Sequence, residues 1–116
     1  MTISDKQRAI CQRFDAGYLP PGMEQMVGIA LDTLDKLPLY ATRIPPENGT
    51  CGWYIYGGDY SSDLGFYQAL HAAHLEEVCP GIMPYLALPP GWCVILAPDY
   101  EDVWFDEKFS KGPREG

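Results

Sequence analysis

What this 116-residue chain lacks is informative before anything it contains. Between Ile44 and Glu107 there is not one lysine or arginine. Binding to nucleic acid needs clustered basic side chains at the phosphates, so DNA and RNA are not expected as direct partners. The overall balance, 16 acids against 8 bases for a net charge of −8, argues equally against an anionic membrane surface. No window offers the roughly 18 uninterrupted apolar residues that a membrane-spanning helix requires. The opening MTISDKQRAICQRFD has neither the basic start nor the apolar stretch of a signal peptide. A cytoplasmic location is therefore expected. The four cysteines, Cys11, Cys51, Cys79 and Cys93, contain no CxxC pair. In a reducing compartment they read as buried thiols rather than disulfides.

Catalytic signatures are missing too. There is no GxSxG, Walker A loop, HExxH or GxGxxG. Gly57-Gly58-Asp59 lacks the lysine and further glycines of a phosphate loop. The adjacent acids Glu76-Glu77 and Glu101-Asp102 diverge on either a helix or a strand, so neither pair forms an acid–base couple. His71 and His74 stand three apart on an expected helix, with Glu77 or Cys79 as possible companions at a metal. A closed zinc site needs four ligands, and the other cysteines lie on separate elements. No catalytic residue, metal or cofactor is assigned, and an enzyme is not expected. Two alternatives stand beside the main reading: a small metal-binding or enzymatic protein using His71 and His74, and a structural interaction module.

The length suits one domain over 1–116 with one core. Its first part, 1–37, reads as helical. Ser4 and Gln7 have capping-box spacing, Ile10, Cys11 and Phe14 share a face, and Gly17 can end the helix. Met23 to Leu37 fits a second helix through Met23, Met26, Val27, Ala30, Leu31 and Leu34, with a strand around Val27–Leu31 as the alternative. Leu39–Ile44 and Trp53–Tyr56 read as strands joined through a turn containing Asn48-Gly49. A helix capped by Ser62 or Asp63 is expected from Leu64 to Val78. A short helical turn follows within Ile82–Leu88. Trp92–Ala97 reads as a central strand and Tyr100–Phe105 as the last one, with Ser110–Gly116 a frayed tail. The sum is an α+β domain of about four antiparallel strands with two to three helices packed on one face. Leu39–Ile44, read as an exposed edge, offers a dimer contact.

What is present in the base-free window is acid and aromatic. It holds ten acids, while the rest of the chain holds six acids and eight bases. Nine tryptophans and tyrosines lie among those acids, from Trp53 to Trp104. Rings as anchors beside charges for steering suit a surface that binds a basic protein. The expected contact residues are Asp59, Tyr60 and Asp63 after the WYIY strand, and Asp99, Tyr100, Glu101, Asp102 and Asp106 in the last hairpin. Tyr60 and Tyr100 should be exposed, and Trp53, Trp92 and Phe105 should lie in the core.

Three segments carry a family resemblance: GWYIYGGD (Gly52–Asp59), PYLALPPGW (Pro84–Trp92) and YEDVWFDE (Tyr100–Glu107). Together with Tyr40–Ile44 and the segment ending at Pro80, they resemble the Imm33-like immunity proteins over about Pro38 to Phe109. The resemblance implies a bacterial protein that binds a cognate protein toxin and covers its active site. It supplies no binding residues.

Overall fold

The computed structural model describes residues 2–46, 49–61, 63 and 65–110. The chain opens with helix α1, Ile3–Arg13. Its cap is Thr2, whose hydroxyl accepts from the Asp5 amide while the Asp5 carboxylate accepts from the Thr2 amide. The capping box thus begins two residues before the expected Ser4. The helix stops at Phe14, and Asp15 takes the left-handed conformation (φ 56°) expected of Gly17.

Six strands form one mixed sheet: β1 (Met26–Ile29), β2 (Leu39–Arg43), β3 (Thr50–Gly57), β4 (Gln68–His71), β5 (Trp92–Ala97) and β6 (Tyr100–Phe105). Their order is β4-β1-β3-β2-β5-β6. Only β1 and β3 pair in parallel; the other neighbours are antiparallel. The two expected hairpins, β2–β3 and β5–β6, are present, but the count of four strands is low by two. Met23–Leu37 is not a helix: it contains β1 and a 3₁₀ turn at Leu31–Thr33. Val27 and Ile29 alternate into the core, with Gly28 between them on the outer face. Tyr54 leaves no room for a side chain at Gly28, since a Cβ there would lie 2.5 Å from its ring. The helix expected over Leu64–Val78 is replaced by β4, a 3₁₀ turn at Ala72–His74 and the single-turn helix α2, Leu75–Val78. Its expected cap at Ser62 and first residue, Leu64, lie outside the described residues, as do Asn48 of the first turn and Lys111–Gly116 of the tail.

Alternation assigns the two faces of the sheet. Ile29, Ile55, Ala41, Val94 and Val103 align across five strands on the inner face. They are packed against α1, α2 and the 3₁₀ segment Pro80–Tyr85. Trp53 is fully buried and Trp92 packs against the core, as expected. Phe105 is 50% exposed and corrects the third core assignment: it ends an edge strand, with the Trp92 ring beside it at 5.7 Å. Strand β2 is interior, between β3 and β5, so it is no dimer edge; the edges are β4 and β6. All four cysteines are free and buried, and burial raises each thiol pKa.

Two polar ties hold the layers together. Arg43, 2% exposed, donates from Nε to the Cys51 carbonyl at 2.9 Å and from Nη1 to those of Leu19, Leu86 and Leu88 at 2.7, 3.1 and 2.9 Å. Trp53 Nε1 adds a second donor to Leu86 at 2.9 Å. One cation therefore joins β2, β3, the segment after α1 and the segment before β5. Nearer the surface, the Glu101 carboxylate accepts from Arg13 of α1 and from the Tyr85 hydroxyl. The Tyr85 bond, then Arg13, holds Glu101 below the ordinary carboxylate range. Burial and that same acceptor push Tyr85 up to about 12.

Arg43→Met removes the guanidinium donor from the Leu19, Cys51 and Leu88 carbonyls and leaves Leu86 with Trp53 alone, and urea unfolding should show a loss of roughly 3–5 kcal/mol. A loss within experimental error would remove Arg43 from its structural role. Because the Glu101 pKa is depressed by folding, its contribution is present above the unfolded value of about 4.3. The contribution is lost as pH falls through the lower folded value. Glu101→Gln should therefore cost about 1 kcal/mol at neutral pH, with wild type and variant converging in acid. A pH-independent difference would show that the carboxylate charge contributes nothing.

Candidate protein-binding face

The outer face of the sheet is built from the alternate residues of the same strands. One cross-strand row reads Tyr56, Tyr40, Ile95, Asp102; the next reads Gly28, Tyr54, Thr42, Cys93, Trp104. Helix α3, Glu107–Ser110, packs against β2. The Asp106 carboxylate accepts from the Lys108 amide at 3.1 Å and so caps this short helix.

Beyond β3 the chain brings further rings to the outer face. Tyr40 and Tyr56 stack with centroids 5.0 Å apart, and Tyr60 and Phe66 each lie 5.7 Å from Tyr56. Phe66 meets Tyr67 at 5.0 Å, and Tyr67 meets Tyr54 edge-on at 5.2 Å. These contacts make a continuous six-ring surface, separate from the core by the thickness of the sheet. Its inner members are half-buried, while Tyr60 is 60% exposed. Burial first, then the neighbouring Tyr56, Tyr60 and Tyr54, pushes Tyr67 up to about 12; burial, Tyr40, Tyr60 and Asp59 also raise Tyr56. Beside Gly28, Tyr54 and Tyr67 line a cleft of about 190 Å³.

Six of the eight expected contact residues are exposed: Asp59, Tyr60, Asp63, Asp99, Tyr100 and Asp102. Register brings the two segments to the same end of the sheet. Leu39 pairs with Gly57 on one side and Leu96 on the other, just before the Pro98-Asp99 turn. Only β2 separates β3 from β5, a gap of about 10 Å. Tyr100 and Asp102 share the outer face, with 3.5 Å between the Tyr100 hydroxyl and the Asp102 carboxylate. Glu101 and Asp106 are placed otherwise. Glu101 projects to the inner face and is taken up by Arg13 and Tyr85, and Asp106 caps α3. Tyr40, Tyr54, Tyr56, Phe66 and Tyr67 belong to the ring surface and were not singled out by sequence. Cross-strand pairing of the YATR and WYIY alternations is the signal that would have found the first three.

Of the two companions suggested for the histidine pair, Glu77 lies beside His74. The rings of His71 and His74 are 6.1 Å apart, and His74 lies 3.8 Å from Glu77. Among the described residues, no group of three or more His, Cys, Asp or Glu is placed to hold a metal ion. None of their helices is long and apolar enough to cross a membrane.

The raised phenol pKa values give a direct optical test. A group raised by folding contributes stability below its unfolded value, here about 10, and loses that contribution as pH rises through the folded value. In an alkaline absorbance titration, Tyr67 and Tyr85 should ionise only near pH 12. Complete ionisation of all eight by about pH 11 in the folded state would contradict the packed ring surface.

No curated protein and no solved structure matches this chain. A family model described as the Imm33-like domain matches residues 6–106. The match begins inside α1 and takes in β1, well before the Pro38 at which the sequence resemblance starts. It covers both acidic segments and all of the base-free window but Glu107, and the chain belongs to the Imm33-like family.

Proposed function

We propose that this chain is an immunity protein, which binds a basic bacterial antagonistic toxin in the cytoplasm of the producing cell and blocks the toxin's active site. Family membership supports the immunity class. The observation that carries the nature of the partner is the placement of Asp59, Asp63, Asp99 and Asp102. All four are exposed, and the loop after β3 and the β5–β6 turn bring them to one end of the sheet. A predominantly acidic cluster of this kind, which Lys36 adjoins at Gly58, raises the encounter rate with a positively charged active-site cleft. Exposed Tyr60 and Tyr100, at 60% and 54%, supply rigid contact area within the same patch. Inhibition on this reading is stoichiometric occlusion and involves no turnover by the chain itself.

Asp59→Lys combined with Asp102→Lys tests the electrostatic part. Both positions are exposed, so folding should be unaffected. The pair should slow association with the toxin about 10- to 100-fold at low salt while changing dissociation little. An unchanged association rate at low salt would exclude these acids from the interface.

A further inference from the structure

The acidic patch at the sheet end adjoins a larger surface, and the two differ in chemistry. The outer face is a ring surface with an acidic rim. Its row Tyr56, Tyr40, Ile95, Asp102 crosses four strands, and Asp59 lies close enough to Tyr56 to raise its pKa. Four of the described bases lie elsewhere, while Lys36 lies against Gly58, next to Asp59, and Lys108 is on α3. Lys6, Arg8 and Arg13 are on α1, which packs against the inner face, and Arg43 is buried in the core. Arg8 and Arg13 are themselves seated over Tyr18 and Phe14, at 4.4 and 4.8 Å from the ring centroids.

We propose that the outer face of the sheet receives a basic segment of the partner protein, with an arginine guanidinium stacked on the Tyr56–Tyr60 rings beside Asp59 and a second basic side chain reaching Asp102. The identity of that partner as a toxin rests on the function proposed above; the face and its chemistry do not. Ring faces carry negative potential and attract cations, and arginine gains more than lysine because its planar head also stacks. The acids at the rim fix where the charges fall. Asp102 stands three strands from Tyr56, about 14 Å. An extended segment of four or five residues covers that span at about 3.4 Å per residue. The cleft beside Gly28 lies at the opposite edge of the rings, where Tyr54 and Tyr67 meet, and accepts an apolar side chain from the same segment.

The test uses the intact chain, isotopically labelled and titrated with hexa-arginine and hexa-lysine at 0.15 M salt, an ionic strength that screens bulk attraction beyond about 8 Å. Hexa-arginine should shift the amides of Tyr40, Tyr56, Asp59, Tyr60 and Asp102, and should bind about fivefold tighter than hexa-lysine. Asp59→Asn with Asp102→Asn should weaken it, and so should Tyr60→Ala, whose ring is too exposed to be needed for folding. Equal affinity for the two peptides, or shifts centred on Glu76 and Glu77 instead, would overturn the proposal.

A photo-cross-linking benzoylphenylalanine placed at Tyr60 or at Gln12, in toxin-producing cells, separates this proposal from the toxin reading. A cross-link from position 60 to an arginine- or lysine-bearing toxin peptide supports both. One from position 12 alone overturns the face and leaves the inhibitor reading intact. One from position 60 to α1 of a second copy overturns the proposal in favour of self-association. If hexa-arginine maps to the face yet neither position captures a toxin, the basic-segment site stands and the toxin assignment falls.

Discussion

The guanidinium of Arg43 is the constraint on which the rest of the structure depends. Burial lowers its pKa, because a cation loses hydration in the interior. The compensation comes from carbonyl dipoles of Leu19, Cys51, Leu86 and Leu88, which belong to segments far apart in sequence. Three of those carbonyls, of Leu19, Leu86 and Leu88, lie outside the sheet, where no strand ladder serves the acceptor. A single five-donor fork serves several of them at once, which a lysine could not do with the same geometry. The register of β2 against β3, the path of the chain after α1 and the seat of the segment before β5 are therefore coupled. With α1, α2 and the 3₁₀ segment Pro80–Tyr85 fixed on the inner face, most of the outer face is left to the tyrosines.

That division of labour sorts the charges. Acids that meet a base or a backbone donor are consumed by the fold: Glu101 by Arg13 and Tyr85, Asp106 by α3. Acids on turns and on the outer face are left exposed. The described bases divide differently, with one in the core, three along α1, Lys36 beside Gly58 and Lys108 on α3. The result is a small domain with a basic helix on one side and an acidic aromatic sheet face on the other. Such a molecule is suited to orienting a charged partner as it approaches.

Legibility in the sequence followed the density of local signals. β3 and β5 were readable because WYIY and WCVILA combine aromatic and β-branched residues in runs too short for a helix. β1 was not, because Met26, Val27, Gly28 and Ile29 form a strand of four residues, too few to separate one period from another. The segment Gln68-Ala-Leu-His71 has good helix formers and becomes a strand by pairing its backbone with β1, a tertiary effect that overrides propensity. On the site, the exposed positions Asp59, Tyr60, Asp63, Asp99, Tyr100 and Asp102 were legible from turn chemistry. Glu101 was misread although the alternation that sends Val103 inward sends Glu101 inward as well. The ring surface was invisible because it depends on β2–β3 register and on a chain return that no local pattern records.

The central claim is that this acidic, aromatic domain holds a toxin in a one-to-one complex. A tagged chain recovered from the producing bacterium, washed first at low and then at high salt, tests it most directly. The account predicts one stoichiometric partner carrying a basic toxin domain, retained at low salt and released as the salt rises, because exposed charges set much of the attraction. Recovery of the chain alone from cells that are making the toxin would contradict it.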